Sequence, residues 1–269
     1  MLDYNQVKLG RNPSRQDTRT LRLAHYLTPA LPAPPPAVDW SAKLAAIGMM
    51  GNDVYGDCTC AAMGHAEQVW TADNGPEVTV PDAAVLGAYE AVSGFQPGDS
   101  STDTGADMLT VAKYWRQTGI AGHTIEGFTT ADPTKATEVQ VGLWVLGGLY
   151  TGVALPRSAQ AQIKAQQPWD VPPGGPYGDG TPNSWGGHCV WTVAYDAQGL
   201  TCLTWGQKQR MTWAFWQTYV EECLPILAPE WHSAGKCPAG FDVTTLQADI
   251  AALTANPSLA LAGGYNEVT

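Results

Sequence analysis

Patterns of helical period in this chain cluster before residue 147, and short apolar runs of strand character lie between 149 and 205. That segregation limits the fold more than any other feature. Strands alternating with helices would build a parallel sheet through crossovers. Helices first and strands afterwards give an α+β molecule, with a helical lobe set against a largely antiparallel sheet. The helical patterns run over 58–72, 81–92, 105–118 and 134–146. Pro81 suits a first helical turn and Gly119 a C-terminal cap.

The apolar strand 149–155 follows directly. It ends an uncharged run between Glu138 and Arg157 that is almost long enough to cross a bilayer. Gly142, Gly147, Gly148, Gly152 and the closing Pro156 instead fit a buried helix turning into a core strand. Residues 166–187 form a long loop rich in Pro, Gly and Trp, of the kind more often functional than idle. Cys189–Tyr195 and Leu200–Trp205, split by Asp196-Ala197-Gln198-Gly199, carry a hairpin signal. Helix-like stretches over 212–223 and 243–254 complete the pattern.

Ahead of all this, residues 1–37 are polar and then proline-rich (Pro29, Pro32, Pro34, Pro35, Pro36). They read as an extended, polyproline-like arm. The compact domain is expected over 38–269, with a helical C-terminal extension from about 224 to 269. A net charge of −11 without any basic run argues against nucleic-acid and membrane partners. No basic patch followed by an apolar stretch opens the chain, so a non-secreted protein, cytoplasmic or virion-associated, is expected. Its six cysteines would then be free thiols.

The chemistry concentrates in Gly51-Asn52-Asp53-Val54-Tyr55-Gly56-Asp57-Cys58-Thr59-Cys60. A glycine-rich turn here delivers a cysteine to a helix start, where unpaired N–H groups and the helix dipole favour a thiolate. Asp57 opposes that effect as a like charge unless it caps the helix. A free cysteine is more commonly a small buried residue, so Cys58 needs a histidine across a cleft to matter. Of the five histidines, His25 lies in the arm, His65 on the same helix and His232 near the tail. His188, at the lip of the apolar strand after the long loop, can face a helix N-terminus. Cys60 is the rival nucleophile. Cys58, Cys60 and His65 make a poor zinc set, because C-x-C spacing is unfavourable and no second ligand pair follows; no cofactor is implied. The aromatic stretch Trp205, Trp213, Phe215, Trp216 and Tyr219 reads as core packing under a helix rather than as a ligand cleft.

Together these segments resemble the papain family of cysteine peptidases, in matching order over roughly residues 38–220. Val38-Asp39-Trp40 is similar to the family's Val-Asp-Trp near the mature N-terminus, and Cys58 follows Trp40 at the family's interval. Gly56-Asp57-Cys58 stands for Gly-Ser-Cys. Gly187-His188-Cys189-Val190 through Ala194-Tyr195 is similar to the histidine segment, and Thr204-Trp205-Gly206 to the end of Asn-Ser-Trp-Gly. The resemblance implies a two-lobe fold with the nucleophile helix packed on an antiparallel sheet lobe. It also implies a thioester mechanism on a peptide or protein substrate, with Cys58 as nucleophile, His188 as base and Asn52 in place of the oxyanion glutamine.

The position of the family's third catalytic residue is Leu203, which cannot orient an imidazole, so Thr204 beside it takes that expectation. Asn183-Ser184-Trp185-Gly186 spells the family motif but precedes the histidine and is read as coincidence. Tyr55 replaces a disulfide cysteine, and no inhibitory propeptide is evident. A second reading is a catalytically weak or inactive papain-like binding module, such as a phage virion component. The arm would then be an attachment segment ordered by a protein partner.

Overall fold

The computed structural model describes residues 2–27, 33–233, 235–240 and 242–255, the side chains of 253–255 excepted. Its elements in chain order are β1 (Leu21–Arg22), β2 (Val38–Asp39), α1 (Cys58–Asn74), α2 (Asp82–Ser93), α3 (Met108–Gln117), β3 (Gly127–Thr130), α4 (Ala136–Leu146), β4 (Leu149–Leu155) and α5 (Arg157–Lys164). After the long loop come β5 (Gly186–Tyr195), β6 (Gly199–Thr204), β7 (Gln207–Thr212), α6 (Trp213–Tyr219), β8 (Val220–Leu224), β9 (Ile226–Leu227) and α7 (Thr244–Ala255). The class is α+β, as the order of patterns implies.

The larger sheet runs β7-β6-β5-β4-β8, antiparallel throughout, and β2 pairs with the far end of β5 at Val38–Tyr195. Strand β5 is buried from His188 to Tyr195 and serves two cores at once. Cys189, Trp191 and Val193 face the helical lobe, while Val190 and Tyr195 belong to a second core with Trp169, Trp205, Phe215 and Trp216. From Cys189 to Val193 this is the period of two of a strand covered on both faces; the register shift against β6 between Thr192 and Ala194 breaks it, so that Tyr195 joins the second core. A small sheet, β1-β3-β9, closes the other side of the helical lobe.

Helix α1 is buried continuously from Cys58 to Trp70, as an all-round small and apolar sequence requires. Two of its polar residues, His65 and Gln68, find partners where the helix passes the loop before it. His65 Nε2 lies 2.9 Å from the Gly48 carbonyl, and Gln68 receives the Gly48 N–H and donates to Thr79. Trp70 stacks on Trp115 of α3 and meets Trp191 of β5 edge-on, at 5.5 and 5.2 Å between centroids. Such pairs add about 0.5–1.5 kcal/mol each beyond area burial, and they lock α1 between α3 and the sheet.

Several elements differ from the sequence reading, among them β3, in a stretch left unassigned, and β9, where a helical extension was expected. Residues 157–164, left unassigned, form α5, amphipathic around Ala159 and Ile163. The polar run 207–212 is the sheet-edge strand β7. The helix expected over 212–223 stops at Tyr219, because Val220–Leu224 pairs with β4. The helix expected over 243–254 is α7; residues 256–269 of the expected extension lie outside the described residues, as do Pro29 and Pro32. The leading segment is largely extended, and packed: Tyr4, Val7, Arg11 and Leu23 are buried against the body. No helix among the described residues is long and apolar enough to cross a membrane.

Candidate active site

The turn before α1 is wound tightly by Met50 and Gly51, both at positive φ, and by N–H bonds from Val54 and Tyr55 to the Gly51 carbonyl. Asp57 occupies the N-cap position, yet its side chain bonds no helix N–H. It accepts instead from Asn52 Nδ2 at 3.0 Å. The same amide donates to the Tyr55 carbonyl at 3.2 Å, so both Asn52 hydrogens are engaged. An oxyanion would have to draw one of them away. Burial pushes the Asp57 carboxyl well above the usual range. Asp57 therefore sits beside Cys58 with its charged form disfavoured, and its bond from Asn52 fixes the turn.

Cys58 is fully buried at the first turn of α1. Burial pushes its thiol up to about 11, against the opposing pull of the Gly10 and Cys189 backbone amides. The thiolate expected at a helix N-terminus is thus outweighed here by desolvation. Cys189 immediately follows His188, so Cys58 lies against the start of β5, as the sequence order implies.

His188 is held from two sides. Its Nε2 is 2.8 Å from Thr204 Oγ1, and its ring stacks on the Trp205 indole at 4.3 Å with 13° between planes. Its Nδ1 is buried without a hydrogen-bond partner. Burial, aided by the Arg11 guanidinium, pulls the imidazole down to about 3, so thiol and imidazole are both neutral in this arrangement. Leu203, in the position of the family's third residue, is buried and pairs in the sheet with Trp191. Thr204 on the same strand supplies the polar contact.

The leading segment crosses this site. The Arg11 N–H donates to the Gly187 carbonyl at 3.0 Å, on the sheet side. Ala106 N–H donates to the Gly10 carbonyl at 2.8 Å, and Asn12 N–H to the Ala106 carbonyl at 3.0 Å, on the helical side. Residues 10–12 therefore bridge the two lobes as a strand would, parallel at Arg11–Ala106. Glycines make the passage possible: a Cβ on Gly10 would meet the Gly56 carbonyl oxygen at 1.7 Å, and one on Gly187 would meet the Arg11 oxygen at 2.2 Å. Ion pairs fasten both ends. Lys8 Nζ lies 2.6 Å from Asp103, whose carboxylate also accepts from Gly56 N–H and Tyr89 Oη. The buried Arg11 guanidinium pairs with Glu221 and with Glu222, the latter at 2.7 Å.

Of the expected site residues, Thr204 meets His188, Cys58 lies against the backbone of Cys189 next to His188, and Asn52 is tied to Asp57. Cys60 is buried in the helical core. Asn183 is exposed, while Trp185 of the same motif leans on Trp205 at 5.5 Å. Trp205 lies in the core as expected and stacks on His188 besides, while Gly10 and Arg11 carried no expectation. The sole signal for the stacking was the place of Trp205 beside Thr204. Backbone contacts by a polar segment leave no signal at all.

No family model matches this sequence, and no curated protein does. Solved structures do match. Xylellain, a cysteine protease from Xylella fastidiosa, superposes with a TM-score of 0.62 at 15% identity over 83% of this chain and 97% of that one. The fold is papain-like. Procathepsin B S9 from Trypanosoma congolense superposes with a TM-score of 0.55 at 9% identity over 84% of this chain and 89% of that one. Procathepsin L 3 of the Tenebrio molitor larval midgut gives 0.51 at 12% identity, over 82% and 77%. At such identities the papain-like likeness is one of fold, and the chemistry rests on the side chains of this chain.

Proposed function

We propose that the chain is a cysteine peptidase or amide hydrolase working through Cys58 and His188, with the site closed by its own residues 8–12. The observation that carries this reading is the state of His188. Thr204 takes Nε2, Trp205 covers the ring, and Nδ1 is left unpartnered on a strand whose next residue touches Cys58. His65 and His232 also leave Nδ1 buried and unpartnered; what sets His188 apart is the Cys58 thiol against the backbone of the next residue on its strand.

Once the leading segment withdraws, water and substrate re-enter. The burial that neutralises both groups falls, and a thiolate–imidazolium pair becomes accessible. The thiolate attacks the amide carbonyl carbon, and the oxyanion forms against the Cys58 N–H at the helix start, with the Asn52 amide turning from Asp57 to assist. His188 gives its proton to the leaving nitrogen as the C–N bond breaks, which leaves a thioester. Water, deprotonated by His188, then attacks that carbonyl and expels the Cys58 thiolate, releasing the acid. Solved neighbours of the same fold are named as cysteine proteases, which is in keeping with this chemistry.

The test is labelling by a thiol-directed epoxide together with hydrolysis of a peptide-amide library, before and after limited proteolysis of the leading segment. Both should rise after cleavage and be absent in Cys58→Ala and His188→Ala. Labelling at another cysteine, or hydrolysis surviving in Cys58→Ala, would overturn the assignment. So would the absence of both in the cleaved, still-folded protein.

A further inference from the structure

Away from the thiol, at the middle of α1, three ligand-type side chains converge from three separate segments. Glu67 comes from α1, His123 from the turn after α3, and Glu230 from the short 3-10 helix Pro229–Trp231. His123 Nδ1 lies 3.1 Å from Glu230 Oε1 and 3.6 Å from Glu67 Oε2, and the three donor atoms all fall within 4.8 Å of one another. Two ligands bound at about 2.1 Å to a tetrahedral zinc stand about 3.4 Å apart, so the histidine–carboxylate spacings already match two edges of such a site.

Glu67 is the observation that separates this cluster from an ordinary surface ion pair. Its side chain is fully buried, and neither carboxylate oxygen has a hydrogen-bond partner. The nearby Trp115 N–H eases its charge without forming a hydrogen bond of normal geometry. Glu230 Oε2 is buried and unpartnered as well. Buried carboxylates without donors are costly, and a cation is the group that satisfies two of them and an imidazole at once. His123 and Glu230 remain about a quarter exposed, which gives an ion a path in.

We infer that Glu67, His123 and Glu230 form a binding site for a divalent transition-metal ion of the zinc class, with a fourth position open to water. One imidazole and two carboxylates suit such an ion, and no thiolate takes part. The site would staple the 229–231 segment to α1. Trp231 on that segment already donates to the Val145 carbonyl and meets Trp40 edge-on at 4.9 Å. Glu67 lies nine residues from Cys58, roughly 14 Å along the helix, so the ion acts on the scaffold and takes no part in amide hydrolysis.

The experiment uses the full chain stripped with a chelator and titrated with Zn2+ by calorimetry, and with Co2+ followed by visible absorption. One ion per chain should bind with a Kd of about 1 μM or tighter, and Zn2+ should raise the Tm. The Co2+ spectrum should carry d–d bands without a sulfur charge-transfer band. His123→Ala and Glu230→Gln, both partly exposed positions, should each weaken binding by about tenfold or more, and Cys58→Ala should leave it unchanged. Because Cys58→Ala abolishes the proposed hydrolysis but not this binding, the two readings fail separately. Absence of binding up to about 1 mM Zn2+, a thiolate band, or unchanged affinity in either variant would overturn the site.

Discussion

Thr204 reaches His188 with a single hydroxyl, where the resembling family uses a side-chain amide. A hydroxyl both donates and accepts, so it fits either state of Nε2, but it holds the ring with one bond. Trp205 supplies the remaining restraint by stacking at 4.3 Å. The leading segment bears on the same residue, since Arg11 adds to the burial that keeps His188 neutral. Thr204→Val keeps the shape of the side chain and removes the bond. It should leave Nε2 unpaired at a cost of about 1–3 kcal/mol in stability. In the opened protein it should lower kcat by about 100-fold with little change in KM, because a misaimed base affects the transition state more than binding. Thr204→Ser should restore both. Chemical denaturation and steady-state kinetics on the three proteins decide it, and an unchanged kcat in Thr204→Val would remove Thr204 from the mechanism.

At the scale of elements, residues 10–12 reach both lobes through their backbone, and glycine is what lets them lie so close. Gly10→Val places a side chain where the Gly56 carbonyl stands, 1.7 Å from an ideal Cβ. The segment should lift at residues 8–12 while α1 and the sheet stay folded, Tyr4 and Val7 keeping their place in the second core. Cys58 should then react with iodoacetamide at neutral pH. In the parent, a thiol at about 11 leaves roughly one thiolate in 10⁴ at pH 7, and the rate should rise only at alkaline pH. Equal rates in the two proteins would mean that the segment does not guard the thiol. The same contrast explains what could be read from sequence. Helices α1 to α4, strand β4 and the β5–β6 hairpin announce themselves by apolar period. Strand β7 is a polar edge strand, and the split between α6 and β8 is set by pairing with β4, so neither leaves a local pattern. That Thr204 meets His188 could be expected from order and spacing. The engagement of Asn52 with Asp57 could not, since it depends on how a seven-residue turn winds.

Over the whole molecule, charge ties the leading segment to the helical lobe, and the sign of each titration fixes how the closure responds to acid. Asp103 is buried, which raises its carboxyl, yet bonds from Lys8, Tyr89 and the Gly56 N–H win and hold it below the usual carboxylate value. Asp17, bound by Arg19 and by Lys113 of α3, is lowered too. A depressed carboxylate stabilises the closed form above its ordinary pKa of about 3.9, and that contribution is lost as pH falls through the lower, folded-state value. Glu222 behaves oppositely: burial raises it despite Arg11, so it takes up a proton first and does not resist acid. Closure should therefore hold from neutral pH down to about 4 and weaken below. Hydrogen-exchange protection of the Arg11 and Asn12 amides, corrected for intrinsic rates, should fall by about tenfold or more between pH 5 and pH 3, while amides of α1 stay protected. Asp103→Asn should show low protection already at pH 7 and a flatter profile. Protection that survives to pH 3 in the parent would show that the glycine-lined backbone bridge closes the site without help from these charges.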